Sequence, residues 1–110
     1  MREQFLRLIP VGILCFLSLP AATEAQSDPA KIFQANCVLC HSANGSGDSA
    51  TGKAFHAKDL RSPEVQKQTD AELAGVIAKG RGKMPAFGAK IKTDDLTKLV
   101  GYLRELPKQK

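Results

Sequence analysis

Tryptophan is absent from this 110-residue chain, tyrosine occurs once and phenylalanine five times, so aromatic side chains make up only 5% of it. Two of those phenylalanines, Phe5 and Phe16, stand in an N-terminal stretch with the marks of an export signal, which leaves the rest of the chain poorer still. A scaffold of this size seldom draws more than about 3–5 kcal/mol from its own core and needs a disulfide, a metal or another staple. Something must supplement the core. Runs of alternating apolar and polar residues are also missing, which points away from a β fold and towards an all-α one. Repeats, low-complexity tracts and a second domain boundary are missing too, and the Gly/Ser-rich "ANGSGDSATG" reads as one long loop. The basic residues are not interleaved with aromatics, which argues against a nucleic-acid surface. No catalytic acid or nucleophile stands out, since Asp94 and Asp95 read as the acidic first turn of a helix.

The N-terminus carries Arg2 and Arg7, an almost unbroken apolar run over residues 8–20, and small residues in "AATEA". The run is shorter than the roughly 20 apolar residues of a spanning helix, and Pro10 and Pro20 bracket it. Residues 1–25 therefore read as a cleaved secretory signal and residues 26–110 as the mature domain. Cys15 leaves with the signal. Removing Arg2 and Arg7 together with Glu3 and Glu24 keeps the formal charge at +5.

Three main helices are expected in residues 26–110. The first starts at "SDPAKIFQANCVLCH", with Asp28 as cap, Pro29 at the first helical position, and Ile32, Phe33, Cys37 and Cys40 at helical spacing. The second starts at "TDAELAGVIAKG", where Thr69 and Glu72 make a capping box, Leu73, Val76 and Ile77 form the apolar face and Gly80 stops it. In the third, "TDDLTKLVGYLREL", Thr93 reads as the cap, Leu96, Leu99, Val100, Leu103 and Leu106 as the stripe, and Pro107 as the end. A short extra helix over 62–66 is also expected.

Cys37, Cys40 and His41 form a C-x-x-C-H motif. On a helix the two thiols are neighbours, with the imidazole on nearly the same face, so three reactive groups address one object. Haem fits: its vinyl groups take the thiols as thioethers while the imidazole reaches the iron, and this spacing is the sequence mark of c-type haem attachment. A redox disulfide, a structural zinc and a plain structural disulfide are the alternatives, the first expected after a strand and the second needing more ligands.

A haem iron has a second axial position. Apart from the initiator, Met84 is the only methionine, and it stands in "GRGKMPAFG", where Gly80, Gly82 and Gly88 permit close backbone approach to a flat ligand. His56, in "GKAFHAKDL", is the rival, read here as a surface or haem-edge residue. Phe33, Leu60, Ile77, Phe87 and Leu99 are the expected pocket walls, and a carbonyl in the 53–60 loop is expected to accept from the far nitrogen of His41.

"CVLCH" in the first helix, "GKMPAF" in a later loop and "LVGYLREL" in the last helix together resemble the class I c-type cytochromes, especially short bacterial monohaem ones exported to the periplasm. The resemblance spans essentially all of residues 26–110. It implies the cytochrome c fold around one covalent haem c, with Cys37 and Cys40 holding the porphyrin and His41 and Met84 as iron ligands. It also matches Phe33 and Tyr102 to the crossing of the first and last helices. Pro29 stands where family members often carry glycine, so Gly101 is expected to supply the close approach instead.

With protein ligands on both faces of the iron, the function implied is one-electron transfer, not catalysis. Lys53, Lys58, Lys79, Arg81 and Lys83 would form a basic rim that steers acidic redox partners or membrane-bound complexes to a monomeric carrier. The alternatives are a haem protein that binds or reduces a small molecule, and a haem subunit of a larger respiratory enzyme.

Overall fold

The computed structural model describes residues 27–109 and the isolated Gly12, so the expected signal over 1–25 lies outside the described residues apart from Gly12. Among the described residues six α-helices follow one another: α1 (Pro29–Asn36), α2 (Val38–His41), α3 (Ala50–Ala54), α4 (Pro63–Gln66), α5 (Asp70–Lys79) and α6 (Thr93–Glu105), with a final 3-10 turn over Leu106–Lys108. Among the described residues there is no strand, only an isolated bridge between Arg81 and Met84.

Local sequence accounts for most of these boundaries. Asp28 accepts from the Ala30 amide and Pro29 opens α1. Thr69 and Glu72 close the reciprocal capping box of α5, and Gly80, at φ 75°, ends that helix in a conformation that suits glycine. Ser62 caps α4, the short helix expected over 62–66.

Four expectations about where helices begin and end need correction. The first helix is not continuous: it breaks at Cys37 (φ −118°, ψ −31°), which lies between α1 and α2. The loop expected from "ANGSGDSATG" winds its end into α3, because the Ser49 hydroxyl accepts from the Gly52 amide and caps a new turn. Thr93 is the first residue of α6 and not its cap; Lys92 holds that position without a side-chain bond. Pro107 does not end the helix, since it sits inside the 3-10 turn that extends it.

The core gathers Phe33 of α1, Leu73 and Ile77 of α5 and the α6 stripe of Leu96, Leu99, Val100 and Leu103, continued by Leu106. Helix α1 crosses α6 where the Phe33 and Tyr102 rings meet, with centroids 5.2 Å apart. The last turn of α6 also anchors the segment before α5. Arg104 donates to the carbonyls of Gln66 and Gln68 and to the Asp70 carboxylate, while Gln66 Nε2 donates to the Leu60 and Leu103 carbonyls at 2.7 and 3.1 Å. These bonds hold the 58–68 stretch beside the cavity described below.

Gly101 does not supply the close approach. It is exposed, and a Cβ built there would meet nothing within 4 Å. Intimacy at the crossing comes from the Phe33–Tyr102 pair instead. Gly101→Ala is therefore expected to stabilise the protein by about 0.5–1 kcal/mol through helix propensity, and a lowered melting temperature would contradict that.

Candidate haem site

Cys37, Cys40, His41 and Met84, brought from α1–α2 and from the loop after α5, all line one cavity of about 460 Å³. The five residues expected as its walls, Phe33, Leu60, Ile77, Phe87 and Leu99, line it as well. Its surface is mostly apolar. Both cysteines are free, not bridged to one another. Burial, with a smaller contribution from Cys40, pushes the Cys37 thiol up to about 11, so it is a neutral thiol at physiological pH. That is the opposite of the lowered value that makes a redox-active pair, and no strand precedes the motif among the described residues. A zinc site fares no better, since no cluster of three His, Cys, Asp or Glu side chains forms among the described residues.

The histidine is held by a main-chain carbonyl at the cavity wall. His41 Nδ1 lies 2.9 Å from the Lys58 carbonyl oxygen, which can only accept, so Nδ1 carries the proton and donates it. The ring's other nitrogen, Nε2, is left as the electron-pair donor. This is the carbonyl anticipated in the 53–60 loop, and Lys58 is the residue that supplies it.

The segment after His41 is knitted to the motif by local hydrogen bonds. Gly47 N–H donates to the His41 carbonyl at 2.8 Å, Ser49 Oγ to the Leu39 carbonyl at 2.9 Å, and Ser42 Oγ to the Asp48 carboxylate at 2.9 Å. The Ser46 and Ser42 hydroxyls hold the Asp48 carboxyl below the usual carboxylate range. Ser42 itself takes φ 66°, a left-handed turn that brings the chain back across the motif.

On the other side, Met84 is half-buried at the end of a tight turn whose Arg81 and Met84 exchange backbone hydrogen bonds of 3.1 and 2.9 Å. The base of that loop is fixed to α5, where the Phe87 and Gly88 amides donate to the Ile77 and Ala78 carbonyls. A Cβ on Gly80 would come within 2.7 Å of the Met84 carbonyl oxygen. Glycine there lets the loop fold onto the helix end. His56 lines the same cavity but is exposed and left-handed (φ 55°), just beyond α3.

Among the lining residues that escaped the sequence reading are two exposed apolar ones. Leu39 and Phe55 are 72% and 49% exposed, large apolar side chains turned towards solvent at the cavity. Their only sequence signal is adjacency: Leu39 lies inside the C-x-x-C spacer and Phe55 precedes His56.

Two thiols three positions apart, an imidazole with one nitrogen anchored, a thioether and apolar walls form a donor set suited to an iron porphyrin. A family model described as cytochrome C oxidase, cbb3-type, subunit III matches residues 24–103, and the chain belongs to this family of c-type cytochromes. Cytochrome c6 of Microcystis aeruginosa is 32% identical over 69% of this chain and 90% of its own length. Cytochrome c6 of a Nostoc species is 30% identical, over 92% and 91% of the two chains. The Azorhizobium caulinodans protein named Cbb3-type cytochrome c oxidase subunit FixP is 34% identical over 79% of this chain, which spans only 29% of FixP. A solved structure, the KustC0563 c-type cytochrome, shares the fold with a TM-score of 0.67 at 24% identity, covering 73% of this chain and 98% of that one. The protein is thus a small class I cytochrome carrying covalently bound haem c with its iron.

Proposed function

We propose that the protein is an exported monohaem carrier of single electrons, with Cys37 and Cys40 as the thioether attachments, His41 as the proximal iron ligand and Met84 as the distal one. The observation that carries this reading is the His41 Nδ1–Lys58 hydrogen bond, which fixes the tautomer and reserves Nε2 for the iron. Haem supplies a one-electron ferric/ferrous couple, and a sulfur ligand opposite imidazole raises its reduction potential. With both axial positions held by this chain, no coordination site is left for a substrate, which favours transfer over catalysis. The cytochrome c6 relatives are consistent with that role.

Residues 1–25 serve as the export signal and 26–110 as the periplasmic domain; among the described residues, no helix is long and apolar enough to cross a membrane. Partners are redox proteins with acidic docking surfaces. Leu39 and Phe55 give the contact an apolar centre, and the exposed Lys53, Lys79, Arg81 and Lys83 a basic rim. Lys58 contributes less, because its ammonium already pairs with Glu64 at 3.1 Å.

Visible spectra of wild type and Met84→Ala test the ligand set. Wild-type ferric protein is expected to show the weak red-end absorption band of iron–sulfur ligation, and Met84→Ala to lose it and bind carbon monoxide readily when reduced. A wild type without that band, binding carbon monoxide as readily, would instead mark a small-molecule haem protein. The FixP likeness favours a second reading, a haem subunit of a larger enzyme, which stable copurification with other subunits would reveal.

A further inference from the structure

The tip of the Met84 turn has one conspicuous contact with the rest of the protein. Lys83 Nζ stands 5.3 Å from the centre of the Phe55 ring. Lys83 lies beside Met84, and Phe55 caps α3 at the start of the loop whose Lys58 carbonyl holds His41. Both residues line the cavity, so the contact joins the loop that carries Met84 to the loop whose Lys58 carbonyl accepts from His41. The base of the Met84 loop is tied to α5 through Phe87 and Gly88, and the Arg81–Met84 pair closes the turn on itself, but neither set of bonds ties residues 82–83 to another element. Gly82 (φ 54°), with no neighbour within 4 Å of its Cβ position, adds no packing at the tip.

We propose that Phe55 is a positioning residue for the distal loop: its ring receives the Lys83 ammonium across the cavity and keeps the 81–84 turn closed with Met84 directed inward. The attraction of an ammonium for a ring face at an exposed position corresponds to a two- to fivefold bias towards the closed turn. It is electrostatic, so an aliphatic side chain of similar size in place of Phe55 cannot supply it. The functional consequence rests on the reading of Met84 as distal ligand, whereas the clasp itself can be measured without it.

The test uses the haem-loaded protein and compares wild type with Phe55→Leu, Phe55→Trp, Lys83→Met and Lys83→Arg. Hydrogen exchange at the Arg81 and Met84 amides should quicken two- to fivefold in Phe55→Leu and Lys83→Met. It should stay near wild type in Phe55→Trp and Lys83→Arg, which keep a ring face or a cation. The buried Leu99 amide should not change in any of them. Added imidazole should displace the sulfur ligand from ferric protein two- to fivefold more readily in the first pair, read from loss of the red-end band. Unchanged exchange at Arg81 and Met84 in Phe55→Leu and Lys83→Met overturns the clasp, as does equal acceleration at Leu99, which would report general destabilisation. If wild type lacks the band and Met84→Ala has the same spectrum, the ligand reading fails, and the exchange rates still decide the clasp.

Discussion

A Cys37→Ser/Cys40→Ser protein is expected to carry no covalent haem and to hold no cooperative fold at 37 °C. Cavities in protein cores cost about 24 cal/mol per Å³ when nothing fills them, so 460 Å³ corresponds to at most ~11 kcal/mol, an upper limit because this cavity opens to water. Whole domains are stable by only about 5–15 kcal/mol, and one this small has about 3–5 kcal/mol from its own core. The porphyrin must therefore be counted as core. Phe33, Ile77 and Leu99 belong to the buried core and also line the cavity, so the space a haem would fill adjoins that core directly. Intact mass and thermal circular dichroism check the outcome. A double variant that keeps the haem mass through denaturation would show that the attachment lies elsewhere, and one that melts cooperatively without haem would show that the polypeptide core suffices.

Gly52→Ala should rank among the most damaging single substitutions outside the ligands. Gly52 is buried, and an added Cβ would collide with the Cys40 carbonyl oxygen while standing 2.5 Å from the Gly47 carbonyl oxygen. Both obstacles are main chain, so no rotamer change can clear them. Movement is restricted on the glycine's side too, because its amide donates to Ser49 Oγ at 3.0 Å and its carbonyl accepts from Ala57 at 2.8 Å. Overpacking of this kind costs about 1–3 kcal/mol and sometimes more. At roughly 4–8 °C per kcal/mol for a domain of this size, the melting temperature should fall by about 4–24 °C. Displacing Cys40 would also tilt its neighbour His41, so the spectrum should shift with the stability. A melting temperature within a degree or two of wild type would mean that α3 does not brace the motif.

Much of the helix pattern and the haem motif was legible in the chain. The capping box at Thr69 and Glu72, the stop at Gly80 and the α6 stripe are local patterns, each written within a few consecutive residues. The misread places have physical reasons of their own. Cys37 breaks helical geometry although its neighbours keep helical spacing, and Ser49 caps a helix inside a segment whose composition suggests a loop. Gly101 was assigned a close approach on family pattern, yet whether a glycine is pressed by a neighbour depends on what faces it. Gly52, inconspicuous in the sequence, is pressed more tightly against backbone than Gly47, Gly80 or Gly88.

The haem-binding class and the class of fold were readable from local sequence, because two thiols and an imidazole within five positions fall together wherever the chain goes, and helical periodicity needs only neighbours. Only the tertiary structure decided that Lys58 supplies the carbonyl to His41, that Gly52 packs under Cys40 and that Phe55 faces Lys83. These pairings join residues separated by a dozen or more positions, and such distances close only when the helices pack around a shared centre.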